Sequence, residues 1–591
     1  MSAPRQLSKI LNLANLETNT ITANIDSDIV NQTVTLGVNL PVGTISVSSA
    51  DTLPLSNIPI GQQGFVTTTN KLYIYNGSGW YNIATINSTP YWVTEANASY
   101  TLNTNGTATV VEINAADSDG TTVSYTATGD SNFNAIATVV QDSDGRFVIR
   151  SIDSDGSASP TAGSGILTFT ATDGVDQAST ASTFSISFSP NWTGSYLEIK
   201  KVSSDLAAGD NFGTSVSITP DGTYAIVGAQ MPFASGAAYI FTRSGSTWTQ
   251  QAKLVSSDLQ ASDDFGWAVS ISSDASYAVV TAKEEDGGSG DPIDRAGAAY
   301  IFTRSGSTWT QQAKLTASDA QNNDQFGYSV SMNSDGSYVS IGAYFEDGGA
   351  GDPASAAGAV YVFTRSGSTW TQQTILRASD AEAGDVFGYS VSMNSDASYA
   401  IVGAANEDTG GSNTGAAYIF TRSGSTWTQQ QKIQSSGVLA GDNFGRSVSI
   451  NSDATYAIIG ASFEDTGGVS TGSAYIFTRS GSTWTQQQKL QSSPVEANAR
   501  FGEAVSISSD GTHAIIGAIG ADGAGSDDGA AFIFSRSGST WTEQQKLYGS
   551  DGDNYAGAGH SVSISGNGKY AIVASRSQDL GDGAAYFFEA G

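Results

Sequence analysis

The sequence contains no cysteine, only two histidines and few charged side chains, which make up 14% of its 591 residues. Without cysteine there is no disulfide, thiolate metal site or thiol redox chemistry, so stability must come from packing and backbone hydrogen bonds. No segment approaches the roughly 20 apolar residues of a membrane-spanning helix. The start of the chain, MSAPRQLSKILNLANLET, lacks the apolar core of a secretory signal. We therefore expect no membrane insertion and, if the protein works outside a cell, exit by lysis or an unrecognised export route.

Basic residues are scarce, with 25 Lys and Arg against 56 Asp and Glu, a formal net charge of -31. A chain this acidic repels phosphate backbones and anionic membrane surfaces at long range, so nucleic acid is a poor candidate partner. Divalent cations are better candidates. An acidic surface that only keeps the protein soluble in a salty medium is the simpler alternative.

The abundant residues are those of an all-β protein: 67 Gly, 24 Tyr and 24 Phe accompany many Ser, Thr, Ala and Val. An internal repeat then dominates the C-terminal two-thirds. Phe-Gly pairs begin at Phe212, Phe265, Phe326, Phe387, Phe444 and Phe501. Each repeat ends in a GAAYIFTRSGSTWTQQ-like segment, whose tryptophans are Trp248, Trp309, Trp370, Trp427, Trp484 and Trp541.

Each repeat is interpreted as four short strands, such as SVSI, YAIVGA, AYIFT and WTQQQKL, joined by Ser-Asp-Gly and Arg-Ser-Gly-Ser turns. Four antiparallel strands per repeat are typical of a β-propeller blade. Six repeats are complete, and a seventh, starting near His560, lacks its fourth strand. The segment 195–202, SYLEIKKV, resembles that strand, so we expect it to complete the last blade and close the ring.

The Phe-Gly and YAIVGA segments resemble the FG-GAP repeats of integrin α-subunits and of many bacterial and phage proteins. The resemblance covers 194–591 and implies a seven-bladed propeller. Integrin-type blades often carry a DxDxDG calcium loop between their first two strands, where this sequence has only NSDG or SSDA. We therefore do not assign calcium to those hairpins.

Residues 92–190 contain AADSDGTTVSYTATGD and GILTFTATDGVDQASTASTFSISF, which resemble a cadherin-like or immunoglobulin-like β-sandwich. Carboxylates of Asp117, Asp119, Asp153 and Asp155 are calcium candidates, because calcium takes six to eight oxygen ligands. The alternative is that each Asp-Ser-Asp-Gly, including that at Asp142, forms only a surface turn.

Residues 53–91 are interpreted as a small β module with an NGSGW hairpin, and they resemble a module of virion structural and fibre proteins of marine phages, particularly cyanophages. Residues 1–52 would then be an attachment or oligomerisation segment, with a disordered tail as the alternative. The resemblance implies contact with other virion proteins through the N-terminus, and a homo-oligomer such as a trimer.

Residues that could perform catalysis are few. Nothing in the sequence orients His513 or His560 as a base, so we expect structural roles for both. The RSGSTW turns are similar to the sialidase Asp-box with Arg at the Asp position, and we expect their arginines to form a solvated ring or to stack on neighbouring aromatics. Acidic residues recur in near-identical copies, which favours structure over glycoside hydrolysis, with calcium an alternative in the second loops. They are Asp210, Asp264, Asp324, Asp385 and Asp442, with Glu285-Asp286, Glu346-Asp347, Glu407-Asp408 and Glu464-Asp465.

Together these features predict a non-enzymatic virion protein with no cofactor other than calcium. Its predicted form is a tail fibre or appendage that recognises a host-surface glycan or protein through propeller loops. The alternatives are a capsid or neck decoration protein, and a secreted or cell-surface adhesin of a marine bacterium.

Overall fold

The computed structural model describes the residues 45–47, 62–66, 71–75, 78, 80–85, 89–102, 108–117, 122–151, 163–186, 190–205, 209–230, 235–258, 260–286, 293–348, 354–551, 557–576 and 582–591. The chain divides into two compact units, Met1–Phe188 and Ser189–Gly591. Within the described residues the structure is almost entirely β. The predicted all-β class is thus confirmed.

The first unit begins with a four-stranded sheet in the order β1-β2-β3-β4, in which β1 runs parallel to β2 and the other pairs are antiparallel. Its strands are β1 (Ile45–Val47), β2 (Gln63–Val66), β3 (Lys71–Tyr75) and β4 (Trp80–Thr85). The sheet therefore draws most of its strands from the segment 53–91. The rest of the attachment segment, 1–44 and 48–52, lies outside the described residues.

The remainder of this unit forms the sheets β6-β13-β12-β9, β10-β11-β7 and β5-β8. The elements are β5 (Tyr91–Thr94), β6 (Ser99–Thr101), β7 (Thr109–Val111), β8 (Asn114–Ala116), β9 (Ser124–Gly129), α1 (Ser131–Ile136), β10 (Ala137–Gln141), β11 (Phe147–Ser151), β12 (Gly163–Thr172) and β13 (Gln177–Ile186). Phe147 and Ile149 of one sheet and Leu167, Phe169 and Phe184 of another share one buried cluster. The cadherin-like or immunoglobulin-like resemblance stays a prediction.

In the described part of the second unit, seven four-stranded antiparallel sheets follow one another, the blades of a propeller. Blades one to three contain β15 (Phe212–Ile218), β16 (Tyr224–Ala229), β17 (Ala237–Ser244), β18 (Thr247–Leu254), β19 (Phe265–Ile271), β20 (Tyr277–Ala282), β21 (Ala298–Ser305), β22 (Thr308–Leu315), β23 (Ser329–Met332), β24 (Tyr338–Ala343), β25 (Ala359–Ser366) and β26 (Thr369–Leu376). Blades four to six contain β27 (Phe387–Met393), β28 (Tyr399–Ala404), β29 (Ala416–Ser423), β30 (Thr426–Ile433), β31 (Ser447–Ile450), β32 (Tyr456–Ala461), β33 (Ser473–Ser480), β34 (Thr483–Leu490), β35 (Phe501–Ile507), β36 (His513–Ala518), β37 (Ala530–Ser537) and β38 (Thr540–Leu547). Blade seven contains β39 (Ser561–Ile564), β40 (Tyr570–Ser575), β41 (Ala584–Ala590) and, from the other end of the unit, β14 (Tyr196–Lys201).

The first strand of each blade is the innermost. Each first strand contacts the first strands of both neighbouring blades, and the circle closes where β15 meets β39. The serines of the SVSI pattern join these strands: the backbone N–H of Met332 donates to Ser270 Oγ of the preceding blade, and Met393 N–H donates to Ser331 Oγ. The polar positions of the first strand are therefore used between blades.

The Phe-Gly pair has a packing reason. Phe265 is fully buried beside Tyr300 and Phe302 of its own blade, with ring centroids 5.5 and 6.2 Å away. Gly266 has φ 96°, and a Cβ there would lie 2.3 Å from the carbonyl oxygen of Ala237 in the preceding blade. Because only glycine allows both the left-handed backbone and this close approach, the glycine recurs in all seven blades, while its phenylalanine is replaced by Ala558 in blade seven.

The ring closes through β14, which lies in the predicted segment 195–202 and pairs antiparallel with β41 from Tyr196↔Ala590 to Lys201↔Ala585. The interface of the sixth and seventh blades differs from the others. In blade six, Arg536 Nε donates to the Gly511 carbonyl at 2.8 Å and its guanidinium stacks on Tyr456 of blade five.

The seventh blade has Ala590 at that arginine position, and the sixth has His513 at the tyrosine position. The equivalent carbonyl, that of Gly568, instead accepts a hydrogen bond of 2.9 Å from Trp192 Nε1. Trp192 is 1% exposed and packs in the core cluster that blades six and seven share. A residue that precedes the closing strand thus replaces the missing arginine as hydrogen-bond donor.

Candidate functional site

The repeated carboxylates before Phe-Gly are buried structural groups. Asp324 Oδ2 accepts from the backbone N–H of Gln321 at 2.7 Å, and Asp385 and Asp442 make the same contact within their blades. In blade two the equivalent group is Asp263, not Asp264 as the sequence analysis assigned it: Asp263 Oδ2 accepts from Gln260 N–H at 3.0 Å. The structure differs from the sequence assignment here because two adjacent aspartates precede Phe265, and only the first accepts the hydrogen bond from the turn.

These aspartates have altered acidities. Burial, together with nearby carboxylates, raises the pKa of Asp263 and Asp385 to about 6 and that of Asp324 to about 7. Burial also raises the pKa of Asp442. Groups with such shifts often mark catalytic sites. Here the same contact recurs in four blades, which favours a structural role for each.

The glutamates of the second loops already have cationic partners. Glu285 and Glu407 are 3% and 2% exposed, and each accepts from a lysine of its own blade, Lys314 at 2.5 Å and Lys432 at 2.6 Å. In blade three Ile375 replaces that lysine, and Arg377 two residues later pairs with Glu346 at 2.7 Å. A side-chain cation thus stands where the alternative interpretation placed calcium.

The calcium candidates of the first unit are only partly described. Asp117 is half-buried directly after β8, while Asp119, Asp153 and Asp155 lie outside the described residues. The described triplet forms a turn: Asp142 Oδ1 accepts from the N–H groups of Asp144 and Arg146, each at 2.9 Å. Within the described ranges, no group of three or more His, Asp and Glu side chains is arranged to hold a metal ion.

The arginines of the RSGSTW turns stack on aromatics, one of the two expected arrangements. Arg243 lies over Tyr570 with 4.0 Å between its Cζ and the ring centroid, and Arg365 lies over Tyr277 at 4.2 Å. Each Nε also donates to a carbonyl of its own blade, as Arg365 does to Gly336 at 2.8 Å. These arginines connect blades at the end of the propeller that carries the short turns.

The opposite end of the axial channel is where the repeat breaks down. The residue directly after Phe-Gly lies at or next to the start of each inner strand at this end, and its type varies among the blades. We call these residues the mouth ring: Thr214, Trp267, Tyr328, Tyr389, Arg446, Glu503 and, after the Ala-Gly that replaces Phe-Gly in blade seven, His560. Because the inner strands pair antiparallel with the second strands, as in Phe212↔Ala229, the residues that follow the second strands and their long loops lie at this end too.

Aromatic side chains form a continuous cluster over blades two to four. Trp267 lies 5.3 Å from Tyr328, which lies 4.9 Å from Tyr389 and 4.0 Å from Tyr344, all between ring centroids. Tyr344 stacks at 3.9 Å on Phe345, whose side chain is exposed. At the blade-two end, the Lys283 ammonium lies 4.3 Å from the ring centroid of Trp267. The cluster offers half-buried aromatic faces beside a cation.

Charged groups complete the ring on the other side. Arg446 donates to both carboxylate oxygens of Glu503 at 2.8 and 2.7 Å and lies over Tyr389. Although burial acts to raise the pKa of Glu503, Arg446 holds it below its usual value. Burial and the nearby Arg576 lower the pKa of His560 to about 4, against the opposing charge of Glu503, so this imidazole is neutral at pH 7. The mouth ring thus combines aromatic rings, an arginine–glutamate ion pair and a neutral imidazole.

The sequence analysis missed this surface, although a signal was present. It expected variable loops to make the binding face, and it assigned His560 a structural role from its place in the repeat. The useful signal is the position after the repeated glycine, which holds six different residue types in seven blades, while the Phe and Gly before it and the Ser after it change little. His513, by contrast, is 3% exposed within β36 and belongs to the blade interior.

Several solved structures are similar to this chain at low identity. The β-propeller domain of Cps50 (Swd1) from Myceliophteria thermophila is 8% identical, with 67% of this chain and 100% of that chain covered and a TM-score of 0.45. The periplasmic gluconolactonase PpgL of Pseudomonas aeruginosa is 15% identical, with 58% and 86% covered and a TM-score of 0.41. The WD40 repeats of RRP9 are 8% identical, with 68% and 99% covered and a TM-score of 0.42. Among curated proteins none matches the sequence.

No helix in the described part of the chain has the length and apolar character needed to span a membrane. The family model described as "FG-GAP repeat" matches seven segments, which together make up more than half of the chain. They are 198–241, 248–302, 309–363, 370–420, 427–477, 484–534 and 541–588. The predicted seven-bladed architecture is confirmed by these repeats and the seven sheets. The chain therefore belongs to the FG-GAP repeat family.

Proposed function

We propose that this protein is a virion appendage, a tail fibre or a related structural component, that recognises a host-surface glycan or protein. Recognition uses the mouth ring and the loops around it, and it involves no chemical conversion of the ligand. The virion assignment rests on the resemblance of residues 53–91 to a module of marine phage fibre proteins. The binding surface rests on the geometry of the propeller.

One observation carries the proposal: the strict repeat is abandoned at one end of the channel only. At the other end, turns such as Asp335-Gly336 and arginines such as Arg365 recur almost unchanged, because each joins blades. At the mouth, Trp267, Tyr328 and Tyr389 pack at tilted angles into an aromatic surface that the other blades do not repeat. Half-buried aromatics beside a few polar groups are the usual lining of ligand sites.

The acidic residues of the propeller favour binding over catalysis. FG-GAP repeats do not by themselves indicate catalysis. Hydrolysis of a glycoside needs two carboxyl groups with different acidities flanking one bond. At the mouth ring the acid is Glu503, and Arg446 holds both of its oxygens. The aspartates with raised pKa lie instead in repeated turns. Binding without turnover is the function that these groups support best.

A binding experiment tests the surface. The full chain, labelled with a fluorophore, is measured on host cells and on extracted host-surface glycans. Tyr328→Ala and Phe345→Ala should each reduce binding about tenfold or more, because stacked aromatic contacts dominate such surfaces. The matched control is Ser425→Ala in an exposed turn at the opposite end, which should bind like the wild type. Unchanged binding by both aromatic variants would contradict the proposed surface.

The virion assignment has a separate test. Purified particles are analysed by mass spectrometry and by electron microscopy with an antibody against the propeller. Label on distal fibres supports the proposal. Label over the capsid or neck indicates the decoration alternative, and absence from every particle indicates a cellular adhesin.

A further inference from the structure

Next to the aromatic cluster, a pocket with a volume of about 490 Å³ lies between blades five, six and seven. Its lining includes Arg500, Arg576, His560, Asn498 and Asp527. In a protein with a net charge of -31, two arginines and a histidine around one pocket form an exceptional concentration of cationic and hydrogen-bonding groups. The size is that of an ordinary small-ligand site.

The two arginines differ from the other cations of the propeller. Lys314, Arg377 and Lys432 each pair with buried carboxylates, and the RSGSTW arginines bond to carbonyls. Neither the Arg500 nor the Arg576 guanidinium forms a salt bridge or hydrogen bond with any residue in the described ranges. Among the described residues the N–H donors of both side chains are therefore unused, and a guanidinium presents a planar fork that fits carboxylate or sulfate oxygens.

The pocket is continuous with the aromatic cluster. Arg500 lies over the ring of Phe463 with 4.9 Å to the centroid, and Arg446 lies between Phe463 and Tyr389 at 5.4 and 5.3 Å. Aromatic faces and guanidinium planes thus alternate from the tyrosines of blades three and four to the pocket. A sugar chain lying on the aromatic faces would bring a neighbouring residue to Arg500 and Arg576.

We propose that this pocket is the subsite for an acidic group, a carboxylate or a sulfate ester, on one sugar residue of the recognised glycan. This inference rests on the proposed function, whose ligand class it narrows. Arg500 and Arg576 bind the anionic oxygens, and His560 and Asn498 contribute hydrogen bonds to the same residue. The overall negative charge disfavours densely charged polyanions such as nucleic acids at long range, so the ligand is a glycan in which acidic residues are separated by neutral ones.

The test uses isothermal titration of the full chain with glucose-based oligosaccharides of matched length: neutral, carboxylate-bearing and sulfate-bearing. The wild type should bind at least one acidic oligosaccharide more tightly than the neutral one, and the two acidic probes distinguish carboxylate from sulfate. Arg500→Gln and Arg576→Gln should each weaken binding of the acidic oligosaccharide about tenfold and leave that of the neutral one unchanged. Unchanged thermal unfolding would verify that both variants fold.

Arg295→Gln is the matched control. Arg295 lies at the same end of the propeller in blade two, is 54% exposed and already pairs with Glu284 at 3.0 Å. Its removal changes the net charge equally but should not affect binding. An equal loss in this variant would indicate nonspecific attraction and overturn the subsite.

Three other outcomes would also overturn it: no preference of the wild type for either acidic oligosaccharide, full affinity in both pocket variants, or displacement of the ligand by single-stranded DNA. The proposed function is judged separately. If Tyr328→Ala loses binding to host cells while the arginine variants do not, only the acidic subsite fails. If none of these variants affects binding to host cells, the mouth is not the recognition surface and both proposals fail.

Discussion

Replacing Trp192 by alanine should destabilise the propeller as a whole, although this residue precedes every repeat. Its indole is 1% exposed, and its N–H donates to the Gly568 carbonyl at 2.9 Å. That carbonyl is the one that an arginine would satisfy in other blades. Loss of Trp192 thus removes both core packing and the donor that secures the closing interface.

The size of the effect follows from burial. Truncating a fully buried tryptophan to alanine costs about 3–5 kcal/mol, and a lost hydrogen bond within that total accounts for about 1 kcal/mol. Trp192→Phe separates the two contributions, because it keeps most of the packing and loses only the donor. For a unit as large as Ser189–Gly591, a loss of 3–5 kcal/mol corresponds to a fall in melting temperature of about 5 °C.

The assay is differential scanning calorimetry of the full chain, in which the transition of the propeller is followed. Trp427→Ala is the matched control, since Trp427 belongs to an outer strand and is only half-buried. It should cost less than Trp192→Ala. The double variant Trp192→Ala with Ala590→Arg should recover part of the loss, because it restores the arginine that other blades use.

A melting temperature within 1 °C of the wild type for Trp192→Ala would refute this reasoning. So would an equal effect of Trp427→Ala, because the closing interface would then have no special role.

Three further predictions concern the repeated charges. Burial raises the pKa of Asp324 to about 7, so between about pH 4 and pH 7 the carboxyl group keeps its proton in the folded state and loses it in the unfolded state. The stability of the protein should therefore fall as the pH rises through this range. Asp324→Asn should reduce this pH dependence of the melting temperature, measured at several pH values. Although burial opposes it, hydrogen bonds from Ser337 lower the pKa of Asp335 from its usual 3.8. Asp335→Asn should therefore lose stability at pH 7, and the loss should shrink as the pH falls below 3.8, measured in the same way. Lys432→Met should lower the free energy of unfolding by about 3 kcal/mol, because it leaves Glu407 buried without its cation. A calcium chelator should leave the propeller transition of the wild type unchanged. A transition that depends on the chelator would contradict the assignment of Lys432, rather than calcium, as the partner of Glu407.

Much of the propeller could be predicted from sequence because its constraints repeat. Gly266 cannot carry a side chain beside the Ala237 carbonyl, and every blade has the same restriction, so the repeated glycine stands out within this one sequence. The closing strand was predictable for the same reason, because it resembles the fourth strand of a blade. Stacking of the RSGSTW arginines on aromatics was one of two alternatives that the sequence left open, because a repeated position does not by itself show what packs against it.

The contacts that could not be predicted are those that occur in only one place in the structure. Trp192 belongs to no repeat, and only the structure brings it to Gly568. Asp263 and Asp264 are adjacent, and the sequence does not say which reaches the turn. The pocket of Arg500 and Arg576 is formed by loops from three blades, whose lengths and sequences differ. Such contacts depend on tertiary geometry, which no local pattern encodes.

The pairing of β14 with β41 also has a consequence for biosynthesis. The ribosome makes the strand Tyr196–Lys201 before any other strand of the propeller, and its partner Ala584–Ala590 last. During translation the nascent chain therefore carries a solitary edge strand, and closure is a late, long-range event. Where many copies are made side by side, the early strand of one copy could complete the last blade of another. We therefore expect exchanged dimers among the products of refolding at high protein concentration.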